Sequence, residues 1–344
     1  MHRGRTMQRS SCLLLAGFVF GILLTRGAVA GNVVLTVGPG KTYTTISAAD
    51  TVADHDVTAS NYYIIAVTPG TYTNDFPTVT RPMTIESTAV GQQVVLNATA
   101  SPPNMKGIIL NQSNLTVSGL TFQGAAIPNT LGGNAAGIRD QNVSTTTPYL
   151  IVLNSTFVNN QEGILTGNNA LQSIIIVNST FANNGNPNPS YFQHALYVND
   201  AGNLTVTGSV FCGQLIGHDI KSRALMTTVS DNQLYDGQAD AAISCRAGST
   251  SLAIDIANGG AATISGNVII QGAASQNSKM VDYGEEGLPY SDNSLILLHN
   301  SFTNIGSLSA TAIYDPNCIL AQSVGNTFTG VATLASPSSC AVFE

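Results

Sequence analysis

The residues best suited to chemistry are gathered in one stretch, Gly217-His218-Asp219-Ile220-Lys221-Ser222-Arg223-Ala224. Beyond residue 30 the chain has eight basic residues: Lys41, Arg81, Lys106, Arg139, Lys221, Arg223, Arg246 and Lys279. Three of them lie between positions 221 and 246, and His218 stands beside the first. In a chain so poor in cations, that grouping predicts an anionic ligand more readily than a solvated surface. Acidic residues follow at Asp255, Asp282 and Glu285, while the pair Glu285-Glu286 on a glycine-flanked loop reads most simply as solvated.

The elements that must position these residues show themselves as a repeat. A phrase of alternating β-formers, then Asn, Gly or Ser, then Phe or another large apolar residue, recurs from residue 115 to residue 328 with a period of 23 to 35 residues. Leu115 to Phe122, Leu150 to Phe157, Ile174 to Phe181 and Leu204 to Phe211 are its clearest copies. Within each period lie two or three runs of Val, Ile, Leu and Thr, and helical periodicity is almost absent. Runs this short cannot bury an apolar face alone, but stacked rungs can. Asn and Gly at the corners tolerate the left-handed backbone of sharp turns. The pattern predicts an all-β fold, a single-stranded right-handed parallel β-helix over residues 31–344. A propeller or sandwich would need more two-residue hairpin signals. The seven Asn-X-Ser/Thr sequons, at Asn97, Asn111, Asn114, Asn142, Asn154, Asn178 and Asn203, fit this corner chemistry better than glycosylation. The polar run Asn183 to Ser190 is expected to leave the coil as a loop before His194.

Aligning the run before each phrase predicts which side chains share a face. Ile138, Ile164, Leu196, Ile220, Ile254 and Val281 point inward, and Arg139, Leu165, Tyr197, Lys221, Asp255 and Asp282 point outward in one row. Rungs stand roughly 4.8 Å apart, so Tyr197, Lys221 and Asp255 should touch. Asn199 and Arg223 lie two residues further along the same face, while His194 and His218 each stand three residues before the row. Asn258, Tyr283 and Glu285 fall at the same edge, and Arg246 is placed in the groove.

Arg3, Arg5 and Arg9 precede an apolar run from Cys12 to Leu24, and Ala28-Val29-Ala30 has the small residues of a cleavage site. Residues 1–30 are therefore expected to be a signal peptide cut after Ala30, giving a secreted or periplasmic protein with no membrane span. The run is shorter than the roughly 20 residues a bilayer needs. Without the leader, eight basic residues stand against nineteen acidic ones, a formal charge of −11. Nucleic acid is disfavoured as a partner, and a monomer is expected. Cys212, Cys245, Cys318 and Cys340 allow three pairings. Spacings near one repeat favour Cys212 with Cys245 and Cys318 with Cys340.

The segment from Gly38-Pro39-Gly40-Lys41-Thr42-Tyr43 to Pro69-Gly70-Thr71-Tyr72 resembles the opening of secreted β-helix carbohydrate enzymes of the pectate-lyase-like superfamily. That resemblance implies a first strand, a short capping helix over Ser47 to Ala53, and a first rung. The Gln-Asp-Thr and Asp-Phe-Ile-Phe motifs of pectinesterases are absent, so their activity is not carried over. The phrase around His218 to Arg223, with Asn258-Gly259-Gly260 and Tyr283-Gly284-Glu285, resembles exported bacterial right-handed β-helix proteins. Lys221-Ser222, followed a rung later by Arg246, is similar to polysaccharide lyase family six, the alginate lyases and chondroitinase B. That resemblance implies Lys221 as base, Arg246 assisting, and calcium offsetting the substrate carboxylate.

The expected function is β-elimination in an acidic, uronate-containing polysaccharide. Lys221 removes the proton, Tyr197 or His218 protonates the leaving oxygen, and His194 supports them. Arg223, or calcium held by Asp255 and Glu285, meets the uronate charge. Arg246, Asn199, Asn258 and Tyr283 contact the glycan. In the alternative assignment, Lys221 neutralises and His218 or Tyr197 is the base. Glycoside hydrolysis by two carboxylates from Asp219, Asp255, Asp282 and Glu285, or glycan binding without catalysis, are the competing functions.

Overall fold

The computed structural model describes residues 31–57, 61–186 and 192–340. The expected leader and the end of the Asn183 to Ser190 segment lie outside the described residues. Among the described residues the short apolar runs form three sheets of eleven, ten and ten strands, and the strands pair in parallel from rung to rung. From Tyr62–Val67 onward consecutive strands of the chain fall in different sheets, so each circuit of the three is one rung. This is the right-handed parallel β-helix that the repeat predicts. The capping helix is present at Ile46–His55. Thr45 opens it by accepting the Ala48 N–H, and Ile46, Ala49 and Ala53 join the core. No helix among the described residues is long and apolar enough to cross a membrane.

The core is a set of columns. Phe122, Phe157, Phe181 and Phe211 stack face to face, with ring centroids 4.8, 4.8 and 4.6 Å apart. Their registers continue through Leu234, Ile269 and Phe302 to Phe328. The spacing of the rings is that of the rungs, so the repeat itself dictates the stacked geometry. Gly137 and Gly163 face this column, and a Cβ on either would lie 2.7 Å from a phenylalanine ring.

Polar columns hold the corners. The backbone N–H groups of Asn232, Asn267 and Asn300 donate to the side-chain oxygens of Asn267, Asn300 and Asn326 at 2.9, 3.0 and 2.9 Å. Buried turns thereby find partners for their main chain. Asn154 and Asn178 adopt φ of 49°, the corner conformation expected of Asn in the repeat. Both expected disulfides form, Cys212 with Cys245 and Cys318 with Cys340.

Phe157→Ala should lower unfolding free energy by about 3–5 kcal/mol, because the rungs on either side fix the cavity it leaves. Thr156→Ala, on the outward face, should change stability by less than about 0.5 kcal/mol. Chemical denaturation of both variants measures the difference, and equal effects would contradict the columnar core.

Candidate functional site

The third sheet positions the site. Its strands Ala136–Asp140, Glu162–Thr166, Leu196–Val198, His218–Ser222, Leu252–Ile256 and Lys279–Tyr283 lie side by side. Their register puts Arg139, Leu165, Tyr197, Lys221, Asp255 and Asp282 in one outward row, as expected. Ile138, Ile164, Leu196, Ile220, Ile254 and Val281 are fully buried behind them.

Two lysine-centred clusters divide this face. In the first, Lys221 Nζ lies 2.9 Å from Asp255 Oδ2 and 2.7 Å from Glu286 Oε1. Arg223 donates to Glu286 Oε2 through Nε at 2.9 Å and Nη2 at 2.5 Å, and to Asn199 Oδ1 at 3.1 Å. Its Nη1 also donates to the Tyr197 hydroxyl, and the guanidinium lies 5.2 Å from the Tyr197 ring centre. Asn199 is braced in turn, donating to the Thr166 carbonyl at 2.6 Å. In the second cluster, Lys279 Nζ meets Asp282 at 3.0 Å and Glu285 at 2.8 Å, and sits 3.5 Å from the Tyr314 ring centre.

Neighbouring Glu285 and Glu286 therefore serve different lysines. The loop carrying them turns at Gly284, φ 72°, and Gly287, φ 119°, values that favour glycine. Tyr290 ties the same loop down, donating to the Arg223 carbonyl at 2.5 Å and to Asp200 at 3.2 Å.

The histidines form a buried step beside the row. His194 and His218 have ring centres 4.7 Å apart, and His194 meets Tyr197 edge-on at 4.9 Å. His194 Nδ1 accepts the backbone N–H of His218 at 3.0 Å. Burial, then nearby His218, Lys221 and Arg223, hold His194 well below the usual imidazole range. Burial and Lys221 likewise press His218 down to about 3. With His218 neutral, its 3.4 Å approach to Asp255 is a polar contact and not an ion pair.

Electrostatics assigns the remaining protons. Burial alone would lower the Lys221 ammonium, but Asp255 and Glu286 lift it above its ordinary value. Lys221 is thus a fixed cation, and the expectation that it is the proton-removing base does not fit its surroundings. Burial resists ionisation of Glu286, yet Lys221 and Arg223 bring it below the usual carboxylate range. Asp282, raised to about 8 by burial and by a hydrogen bond shared with Glu285, keeps its proton near neutrality. Burial raises the Tyr197 phenol, and Arg223 and Lys221 oppose that rise.

No family model and no curated protein matches the sequence. A solved structure to which the chain is similar is the pectin methylesterase from Aspergillus niger, at 11% identity and a TM-score of 0.43. The match covers 79% of this chain and 86% of that one.

Tyr197, Lys221, Arg223, Asn199, His194, His218 and Asp255 come together as expected, and Asn258 lies half-buried on the turn at their edge. Other expectations fail. Arg246 is not in the groove: it is exposed on the second sheet's outward face beside Gln123, Thr156 and Thr180. The disulfide explains this, because Cys212 ends the second-sheet strand Val210–Cys212 and pins Cys245 and its neighbour there. Tyr283, one residue past the outward Asp282, points inward and donates to the Gly260 carbonyl at 2.5 Å. Asp219 is also fully buried, with neither carboxyl oxygen hydrogen-bonded among the described residues. Burial and nearby Asp236 raise its carboxyl well above the usual range, so it does not join the carboxylates of the outward row.

The calcium expectation meets a mismatch of donors. Asp255 Oδ2 is engaged by Lys221, and Glu285 by Lys279, in separate clusters. Among the described residues no group of three or more His, Cys, Asp and Glu is arranged to hold a metal. These residues do not fit calcium. Glu285 and Glu286, expected to be solvated on their glycine-flanked loop, instead pair with the two lysines, and Tyr290 was not expected at the site at all.

Buried acids give the fold a definite pH dependence. Asp140 and Asp236 are raised by burial to about 7, and Asp50 and Asp282 to about 8. Between the unfolded carboxyl value near 4 and these folded values, the native state binds more protons, so stability falls as pH rises. The depressed His194 and His218 act oppositely below about pH 6.5, but the four acids outnumber them. Thermal unfolding should show a higher Tm at about pH 5 than at about pH 8. The opposite order would show that these acids are ionised in the native protein.

Proposed function

We propose that the outward face of the third sheet binds an acidic, uronate-containing polysaccharide and cleaves it by β-elimination. One observation carries this reading: Lys221 and Arg223 already clamp a carboxylate, that of Glu286, through contacts of 2.5 to 2.9 Å. A fork that holds one carboxylate in this way suits a uronate carboxylate in its place, with Glu286 swung out on its glycine-flanked loop.

Charge at C5 is the barrier in such a reaction. Removing the C5 proton puts negative charge on the uronate carboxylate, and two fixed cations there favour the transition state over the ground state. The Tyr197 hydroxyl, held against Arg223, is the proton carrier. Its phenolate takes the C5 proton, the C4–C5 double bond forms as the C4–O4 bond breaks, and the same hydroxyl returns a proton to O4. The enzyme thus ends as it began. His194, His218 and Asp255 hold Tyr197 and Lys221 in place. Because burial raises the phenol, turnover should climb with pH on the alkaline side.

A second reading rests on another observation. Asp255 and Asp282 are register partners on adjacent rungs, and one of them keeps its proton. A separation near 5 Å between a proton-bearing carboxyl and a carboxylate suits retaining glycoside hydrolysis.

Incubation with alginate, pectate, glycosaminoglycans and bacterial exopolysaccharides separates the readings. Elimination gives the ultraviolet band of an unsaturated uronate. Tyr197→Phe should reduce that signal by about 100-fold or more while glycan is still retained, and Lys221→Ala should weaken retention as well. Reducing ends without the ultraviolet band would favour hydrolysis. Glycan retention with no product at all would make this a binding protein.

A further inference from the structure

Arg139 lies in the outward row three rungs before Lys221, with Leu165 and Tyr197 between them. At roughly 4.8 Å per rung the two cations stand about 14 Å apart on one face. Unlike every other cation of this face, Arg139 has no ion pair among the described residues. Its Nη1 is buried and makes no hydrogen bond there. The neighbouring acid, Glu162, compensates it only in part: burial lowers the Arg139 guanidinium and outweighs the rise that Glu162 gives it. Glu162 Oε2 accepts the His194 backbone N–H at 2.7 Å, and burial holds its carboxyl well above the usual range.

A half-buried guanidinium with no ion pair among the described residues and an unbonded Nη1 is unfavourable, and such groups in native proteins call for an explanation. The corner beside it is occupied by small residues: Gly107 and Ala136 stand where Glu162, His194 and His218 stand in later rungs. Leu165, between Arg139 and Tyr197 in the row, is almost fully buried and carries no charge that would compete for a ligand carboxylate.

We propose that Arg139 is a second carboxylate-binding position, so that the ligand is a polyuronate carrying acidic groups on sugars several residues apart. The assignment rests on the acidic-glycan reading above and adds its substrate class: a chain long enough to span from the Lys221–Arg223 fork to Arg139. A single uronate or a short oligomer engages the fork alone. A polymer whose acidic residues are isolated among neutral sugars gains nothing at Arg139 unless its repeat matches the span.

Titration calorimetry of the full chain with a uronate disaccharide and hexasaccharide tests this. Arg139→Gln should weaken hexasaccharide binding by about tenfold or more and leave the disaccharide unchanged, with an unaltered Tm. Arg139→Lys should recover part of the loss, and methyl-esterified hexasaccharide should show no dependence on residue 139. Unchanged hexasaccharide binding by Arg139→Gln would overturn the assignment and leave the elimination reading intact. Equal weakening at both lengths, with a lower Tm, would overturn it by making Arg139 structural. Failure of the wild-type protein to bind hexasaccharide would remove the acidic-glycan reading and this one together.

Discussion

The rung spacing governs this protein. A parallel coil sets each side chain roughly 4.8 Å from the same position of the next rung, so every column must be filled by groups that tolerate that distance. Phenylalanine rings meet the condition by stacking, asparagines by passing hydrogen bonds along the column, and glycines by leaving room. Charges meet it only where signs alternate or protons are retained. Lys221 beside Asp255 satisfies the first condition, and Asp255 beside Asp282 the second, since Asp282 keeps its proton.

The loop carrying Glu285 and Glu286 extends that logic off the sheet. Two consecutive carboxylates are shared between Lys221 and Lys279, which belong to strands two rungs apart. Both lysines are thus held charged, and the ionic face closes on itself except at Arg139. This is why Lys221 serves better as a fixed cation than as a base. A proton acceptor needs a value near working pH, and two carboxylates at 2.9 and 2.7 Å push Lys221 the other way.

The solenoid and its outward row were legible because both follow from periodicity. The apolar repeat fixes the rungs, and alternation within a strand then places Tyr197, Lys221 and Asp255 together. Alternation does not set burial: Asp219, two residues before Lys221 on the same strand, is fully buried. Tyr283 is an error of a different kind, since alternation itself sends it inward after Asp282. Arg246 could have been placed correctly from the cysteines alone. A bridge from Cys245 to Cys212 puts its neighbour beside a strand that ends in Phe211-Cys212, on the sheet of the phenylalanine column. Glu286 was illegible for a physical reason. It reaches its partners through a loop, 63 and 65 residues away in sequence, and loops carry no register.

Glu286 also constrains how ligand affinity can arise. Exchanging one carboxylate for another at the Lys221–Arg223 fork replaces like with like, so the fork's gain in binding is reduced by the Glu286 contacts it gives up, while its orientation and specificity remain. The free protein keeps its cations paired and avoids two exposed, mutually repelling charges. Further affinity must therefore come from contacts that have no internal substitute. The Tyr197 ring, which can stack on a sugar face, is one of these. The Arg139 guanidinium, which has no ion pair to exchange among the described residues, is another. A site arranged in this way discriminates at the fork and gains its strength along the row. Chain length, more than the charge of any single sugar, then becomes the property of the ligand that the β-helix measures.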